Sequence, residues 1–276
     1  MDNTLKMIAF KVTATGGFAR VADKVAGKIT ALDMATTRGP NRKAVTAVRL
    51  QTNGNLKVIA WDLKFTPSGK ASIVRLGDAD AGAVSAVSIS RSKNFNGVFT
   101  AVRTGGNLRV IPWKLSSDGK VFTRRAHASA GAIDPYVDVA PLAQGVAVAV
   151  RKPDGRLRVV TWSANSSGDI GPLRSARNAH GTWQLKLLTA PNGGSNLTTV
   201  MRAENGKLYL IGWAVDGNGR NLRRLGTSSA GSITALSADV VSRSYPGLDP
   251  RDMILTAVRT SGKLKLITWD TNLVNP

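Results

Sequence analysis

The chain has no cysteine, a single glutamate (Glu204), two histidines (His127 and His180) and only 5% aromatic residues among its 276. Without cysteine there is neither a disulfide framework nor a thiolate metal site, and two histidines argue against a conventional zinc cage. No metal or cofactor is expected, so the fold must stand on packing. The lone glutamate lies in a turn-like "AENG" (203–206), which weakens any glycoside-hydrolysing reading, since that chemistry uses a working pair of carboxylates. No Ser-His-Asp order, phosphate loop or metal spacing stands out. No apolar run approaches the length of a membrane span, and the start "MDNTLKMIAF" lacks the charged-then-apolar layout of a signal peptide. A soluble chain is expected; a removed signal would leave no trace, and a secreted or periplasmic setting is the favoured one.

What is abundant is positive charge. The 38 Lys and Arg against 17 acids give a net charge of +21, so partners should be neutral or anionic. The basic residues are scattered through "RGPNRK" (38–43), "SRSKN" (90–94), "FTRR" (122–125) and "RNLRR" (220–224). They carry no interleaved aromatics of the kind that stack bases, and nucleic acid is disfavoured as a partner.

One pattern recurs five times. "LTAVRTSGKLKLITWD" (255–270) repeats, with drifting loops, "VTAVRLQTNGNLKVIAWD" (45–62), "FTAVRTGGNLRVIPWK" (99–114), "VAVAVRKPDGRLRVVTWS" (146–163) and "LTTVMRAENGKLYLIGWA" (197–214). The motif tryptophans Trp61, Trp113, Trp162, Trp213 and Trp269 are spaced by 52, 49, 51 and 56 residues, a period typical of propeller blades. Each period holds four strand-like runs, in the first repeat 28–35, 44–50, 56–63 and 71–76, divided by Gly, Asn, Ser and Pro. The third run is apolar on both alternating sets, Leu56, Val58 and Ala60 against Ile59 and Trp61, as expected of a strand covered on both faces. The expected fold is all-β: one domain over 1–276, a five-bladed β-propeller of four-stranded antiparallel blades. Residues 5–12 read as a further third strand with Phe10 in the tryptophan position, and 18–23 as a fourth strand. Closure of the ring is expected from pairing of 18–22 with the C-terminal blade. The surplus strand 5–12 then lies outermost or swaps into a second subunit, giving a homodimer.

The motif glycines Gly54, Gly106, Gly155, Gly206 and Gly262 read as hairpin turns needing positive φ. The arginines Arg49, Arg103, Arg151, Arg202 and Arg259, three to five residues earlier, are placed on the turn face. There they either tie one blade to the carbonyls of the next or offer donors to sugars and anions. The tryptophans, seven residues beyond the glycine, read as inter-blade core. The fourth-to-first connections read as loops on the same face. Aligned on "AG", they carry Asp23, Asp78, His127, Arg177 and Thr227, followed by Asp80, Tyr136, His180 and Trp183. Such broken symmetry allows one asymmetric pocket at the channel mouth, with Asp78, Asp80, His127 and His180 as proton carriers.

Five blades of about fifty residues, each with a Gly-centred hairpin and an aromatic at fixed offset, resemble the tachylectin-2 type of five-bladed propeller lectin. The resemblance implies metal-free sugar binding once per blade near the loops between blades, and so points to the repeated arginines and the fourth-to-first residues. The expected role is metal-independent, non-enzymatic binding of glycans or anionic surface polymers. Two alternatives stand beside it: an enzyme with one active site at the channel mouth, and a polyanion- or protein-binding scaffold.

Overall fold

A computed structural model describes residues 3–37, 43–66, 70–189, 196–216, 220–243 and 251–270. Among them every regular element is a β-strand and every pairing is antiparallel. After β1 (Thr4–Val12), the long β2 (Phe18–Thr36) first returns along β1 and then opens the first repeat sheet, with β3 (Ala44–Leu50), β4 (Asn55–Phe65) and β5 (Ala71–Ala83). The second sheet is β6 (Ala86–Arg91), β7 (Gly97–Thr104) and β8 (Asn107–Leu115), bordered by the short β9 (Phe122–Arg124) and β10 (Ala128–Ala132). The third is β11 (Val137–Leu142), β12 (Gly145–Arg151), β13 (Arg156–Ala164) and the first half of β14 (Ile170–Thr189). The second half of β14 starts the fourth, with β15 (Leu197–Ala203), β16 (Lys207–Ala214) and β17 (Arg223–Ser232). The last sheet has three strands, β18 (Ala235–Arg243), β19 (Arg251–Thr260) and β20 (Lys263–Asp270).

The repeat motif explains the hairpins. All five motif glycines have φ between 71° and 82°, where a side chain would be strained. The strands leading in and out are apolar on both faces because sheets stack on both sides. Val45, Leu56 and Val58 of the first sheet, for example, pack with Ile89, Val98, Ile111 and Trp113 of the second. Trp61, Trp113, Trp162 and Trp213 are at most 2% exposed, as inter-blade core requires. The indole N–H of Trp61, Trp113, Trp213 and Trp269 donates to Thr46, Thr100, Thr199 and Thr256 at 2.9–3.1 Å; the third repeat has Val148 at that place.

The first strands lie innermost. Stretches of β2, β6, β11, β14 and β18 line one common cavity of about 320 Å³, from Met34 through Ile89, Val139 and Leu187 to Val240. Deeper in, Asp33 Oδ2 and Asp138 Oδ1 each stand 2.8 Å from Ser88 Oγ. Their other contacts are N–H donors, Ile89 N to Asp33 at 2.9 Å and Leu187 N to Asp138 at 2.7 Å. A hydroxyl has one hydrogen to give, so Ser88 can satisfy only one of the two carboxylates at a time. Burial, the dominant influence, pushes Asp138 above the usual carboxylate range, against the pull of Lys186 and the Leu187 N–H.

A pH dependence follows. A carboxyl raised in the folded state stabilises fully below its unfolded pKa of 3.8 and loses that contribution as pH rises through the folded value. Asp138→Asn reproduces the protonated acid, with Nδ2 donating to Ser88 and Oδ1 accepting from Leu187 N–H. The variant should melt above wild type at neutral pH, by about 1.4 kcal/mol per unit of the raised pKa, and the gap should close toward pH 4. A variant that melts below wild type at neutral pH, with the deficit shrinking toward pH 4, would show that the charge itself is needed.

Two expectations are corrected. Residues 18–22 do not complete the C-terminal sheet: Phe10, Lys11 and Val12 pair with Arg20, Ala19 and Phe18. So β1 occupies the seat beside β2 instead of lying outside it, and among the described residues the sheets are not closed into a ring by strand pairing. The reason is local. The turn joining these strands, with Thr13 N on Gly17 O at 2.8 Å and Gly16 at φ 79°, closes far fewer residues than a pairing with the opposite terminus. Four of the five fourth-to-first connections are also not loops. In β2 and β14 the fourth strand runs without interruption into the next first strand, and in β5–β6 and β17–β18 only two residues intervene, so their side chains lie on sheet faces. The connection in the second repeat keeps irregular segments at 125–127 and 133–136, which carry His127, Asp134 and Tyr136.

Candidate functional site

The repeated arginines end the second strands, where the apolar alternation stops at the turn face. Arg103 and Arg202 act as ties. Arg103 Nε donates to Ile133 O at 2.7 Å and its Nη1 to Ser85 Oγ at 3.0 Å, while Arg202 Nε reaches Ile233 O at 2.8 Å. Both carbonyls belong to the segment that starts the next sheet. Arg49 folds over its own turn beside Gly54, and Arg259 is exposed.

Arg151 is different. Backbone bonds Asp134 N to Arg151 O at 2.8 Å and Arg151 N to Tyr136 O at 3.0 Å hold both neighbours beside it. From the fourth sheet, Thr182 N bonds Gly155 O at 2.9 Å, which sets Trp183 at the joint, and Glu204 N bonds Gly181 O at 3.3 Å. The guanidinium meets all four side chains. Nη1 lies 2.7 Å from Asp134 Oδ2 and Nη2 lies 3.9 Å from Glu204 Oε1. Cζ stands 4.4 Å from the Trp183 ring centre and 5.8 Å from that of Tyr136. Trp183 nonetheless remains 42% exposed. An indole in water, a fixed fork of donors and two carboxylate acceptors at one inter-sheet joint can stack on an apolar face and exchange hydrogen bonds with hydroxyls.

Of the residues singled out in the sequence, the structure thus unites Arg151, Tyr136 and Trp183. The others lie apart from this joint. Asp78 and Asp80 share Lys57 Nζ at 3.1 and 3.2 Å, and Arg75 also pairs with Asp78. Burial would raise the Asp78 carboxyl, but the bonds from Lys57 and Arg75 outweigh it and hold the group below the usual range. Burial, then Arg109 and Arg124, lower the His127 pKa. His180 stacks on Tyr209 at 5.9 Å, with Arg224 3.5 Å away. None of these residues lines the common cavity of the first strands. Arg177 departs from its alignment with Asp78 and Thr227: it pairs with Val159, one step out of register, and its Nε turns to Leu222 O at 3.1 Å in the fourth sheet.

Asp134 and Glu204 meet Arg151 at this candidate site and were left out of the sequence reading, Glu204 because it stands in a turn, which is what carries it to the joint. A second omission is a regular one. Arg20, Arg75, Arg124 and Arg224 sit opposite Phe10, Trp61, Trp113 and Trp213 in the strand register, and their near-constant distance from the following "AG" was the signal.

The fold defines the class: stacked antiparallel sheets whose first strands share one inner cavity are a β-propeller. Solved structures agree. The chain is similar to a mutant Aleuria aurantia lectin in complex with alpha-methyl-L-fucoside, with TM-score 0.54 and 11% identity over 86% of this chain and 74% of that one. It is also similar to Saccharomyces cerevisiae Sqt1, with TM-score 0.56 and 13% identity over 91% of this chain and 61% of that one. The WD40 domain of SCAP from fission yeast gives 0.51 and 10%, over 97% and 69%. No family model matches the chain, and no curated protein matches its sequence.

Proposed function

We propose that the protein is a carbohydrate-binding, lectin-like propeller that acts without metal or catalysis, its five tryptophan hairpins counting as five blades of one domain, and that its ligand sits at the Arg151–Trp183 joint. The observation that carries this reading is the exposed indole beside a guanidinium at 4.4 Å, with the carboxylates of Asp134 and Glu204 on the same cation. The C–H face of a sugar ring lies on Trp183, its hydroxyls receive hydrogen bonds from Arg151 and give them to Glu204. The net charge of +21 draws the chain to anionic glycan surfaces. The fucoside-bound Aleuria aurantia lectin and the fucose-specific lectin form of the same source, at TM-score 0.52, support the ligand class. The enzyme alternative is set aside because Asp78, His127 and His180 each engage different partners, Lys57, Arg109 with Arg124, and Tyr209.

The test is a glycan array with neutral and anionic glycans at low and physiological salt, followed by calorimetry on the hits. One ligand per chain is expected, because among the described residues only one joint holds the full set of groups. About five ligands would move the site to the repeated arginines, and absence of any hit would sink the reading. A steep loss of affinity with salt would favour the polyanion scaffold, for which the Arg109 and Arg124 pair beside His127 is the specific support.

A second variant probes the acid. A Cβ on Gly181 would come 2.4 Å from Glu204 Cδ. The obstacle is the end of a flexible side chain, so Gly181→Ala should change stability by less than about 0.5 kcal/mol while turning Glu204 away from Arg151 and weakening glycan binding several-fold. Unchanged affinity would remove Glu204 from the site.

A further inference from the structure

Two apolar faces at the ends of the sheet series lie uncovered, and the repeats between them show what belongs there. Leu264 and Leu266 of β20 are 75% and 59% exposed. Counted back from the motif tryptophan, their counterparts are Leu56 and Val58, Leu108 and Val110, Leu157 and Val159, and Leu208 and Leu210, every one of them 0% exposed. In those repeats the cover is the tryptophan side of the following sheet, as where Ile111 and Trp113 pack with Val58. Among the described residues no sheet follows β20.

The complementary surface is at the other terminus. In β1, Phe10 holds the tryptophan position and Ile8 the place of Ile59, Ile111, Val160 and Ile211, which are 3% exposed or less. Yet Ile8 is 43% and Phe10 55% exposed. Their strand partners are Asp23 and Arg20, as Asp78 and Arg75 are those of Ile59 and Trp61 in the covered first sheet. Further along the same pairing Val12 faces Phe18 and Lys6 faces Val25, and Val12, Phe18 and Val25 are all more than half exposed. Exposed apolar side chains grouped in this way mark an association site.

We propose that the two faces dock on each other between two copies of the chain, the β18–β20 sheet of each receiving the β1–β2 hairpin of the other. Within one chain both elements are anchored on their opposite sides. Leu5, 2% exposed, and Met7 pack with Trp61, and β2 runs unbroken into the first sheet. Ile254, Val258, Ile267 and Trp269 pack with Val200, Leu208 and Leu210 of the fourth sheet. With those anchors in place the faces of a single chain remain uncovered, whereas a second copy covers them with no anchor released. Reciprocal docking uses both faces of both copies, so association closes at two. The surface is independent of the Arg151 joint and does not rest on carbohydrate binding.

The cysteine-free background makes the test direct. Phe10→Cys combined with Leu266→Cys, oxidised in the otherwise native chain, should give a disulfide between chains, and light scattering should give the unmodified protein the mass of two chains. A disulfide formed within one chain, or a one-chain mass, overturns the proposal. Leu266→Lys, at a position exposed in the isolated chain, should yield a one-chain mass that still melts cooperatively, at a midpoint that no longer rises with protein concentration. If it stays at two chains, the face is not the interface.

Discussion

Trp113→Ala should lower the stability of the protein by about 3 to 5 kcal/mol, the largest loss expected from any single substitution. The indole is 0% exposed and packs among Val58, Val98 and Ile111 where the first and second sheets meet. Phe122 stands edge-on to it, with ring centres 6.4 Å apart at 85°. Removing it leaves a void between two stiff sheets, neither of which can close on the other without breaking its own ladder. It also strips the Thr100 hydroxyl of its indole donor, at 2.9 Å. Thr100→Val separates the two effects. It keeps the volume, orphans the indole N–H and gives up the long bond from Thr100 Oγ1 to Ile111 O at 3.5 Å, at a cost of about 1 to 3 kcal/mol. Val148, which stands at this position beside Trp162, shows that a blade can be built that way. Thermal melts of both variants decide the point: a Trp113→Ala protein melting with wild type would mean that this tryptophan is not core.

The hairpin repeat was legible because each of its residues answers a local demand. A positive φ selects Gly54 and its equivalents, and double burial selects the apolar runs around Trp61. Ring closure was not legible, because it is a competition between β1 and β20 for one edge of β2. Both strands carry the same pattern, and only the short turn at Thr13–Gly17 distinguishes them. The fourth-to-first connections misled for a related reason. Gly77, Gly82, Gly181 and Gly231 look like loop punctuation, yet in the fold they ride along extended strands. At Gly77 the gap is filled by a neighbouring turn, with Lys120 O at 1.9 Å from where a Cβ would stand. The site was half legible. Arg151, Tyr136 and Trp183 drew attention as repeated or repeat-breaking residues. What joins them is contact between sheets, which no spacing within one repeat encodes.

That joint carries the second large expected effect. Trp183→Ala should abolish measurable glycan binding, or weaken it at least tenfold, about 1.4 kcal/mol, with little change in melting temperature because the ring is 42% exposed. Arg151→Lys is the sharper probe. Lysine keeps the charge facing Asp134, now 2.7 Å from Nη1, but loses the planar fork and its stacking on Trp183 at 4.4 Å. If the guanidinium plane orients the sugar, Arg151→Lys binds nearly as poorly as Trp183→Ala while melting close to wild type. If Arg151 serves the fold alone, as Arg103 does through Ile133 O, the lysine variant loses stability and its affinity follows the folded fraction. Calorimetric titration at a temperature well below the midpoint of both variants tells these outcomes apart, because there every chain is folded and any remaining loss of affinity belongs to the contact.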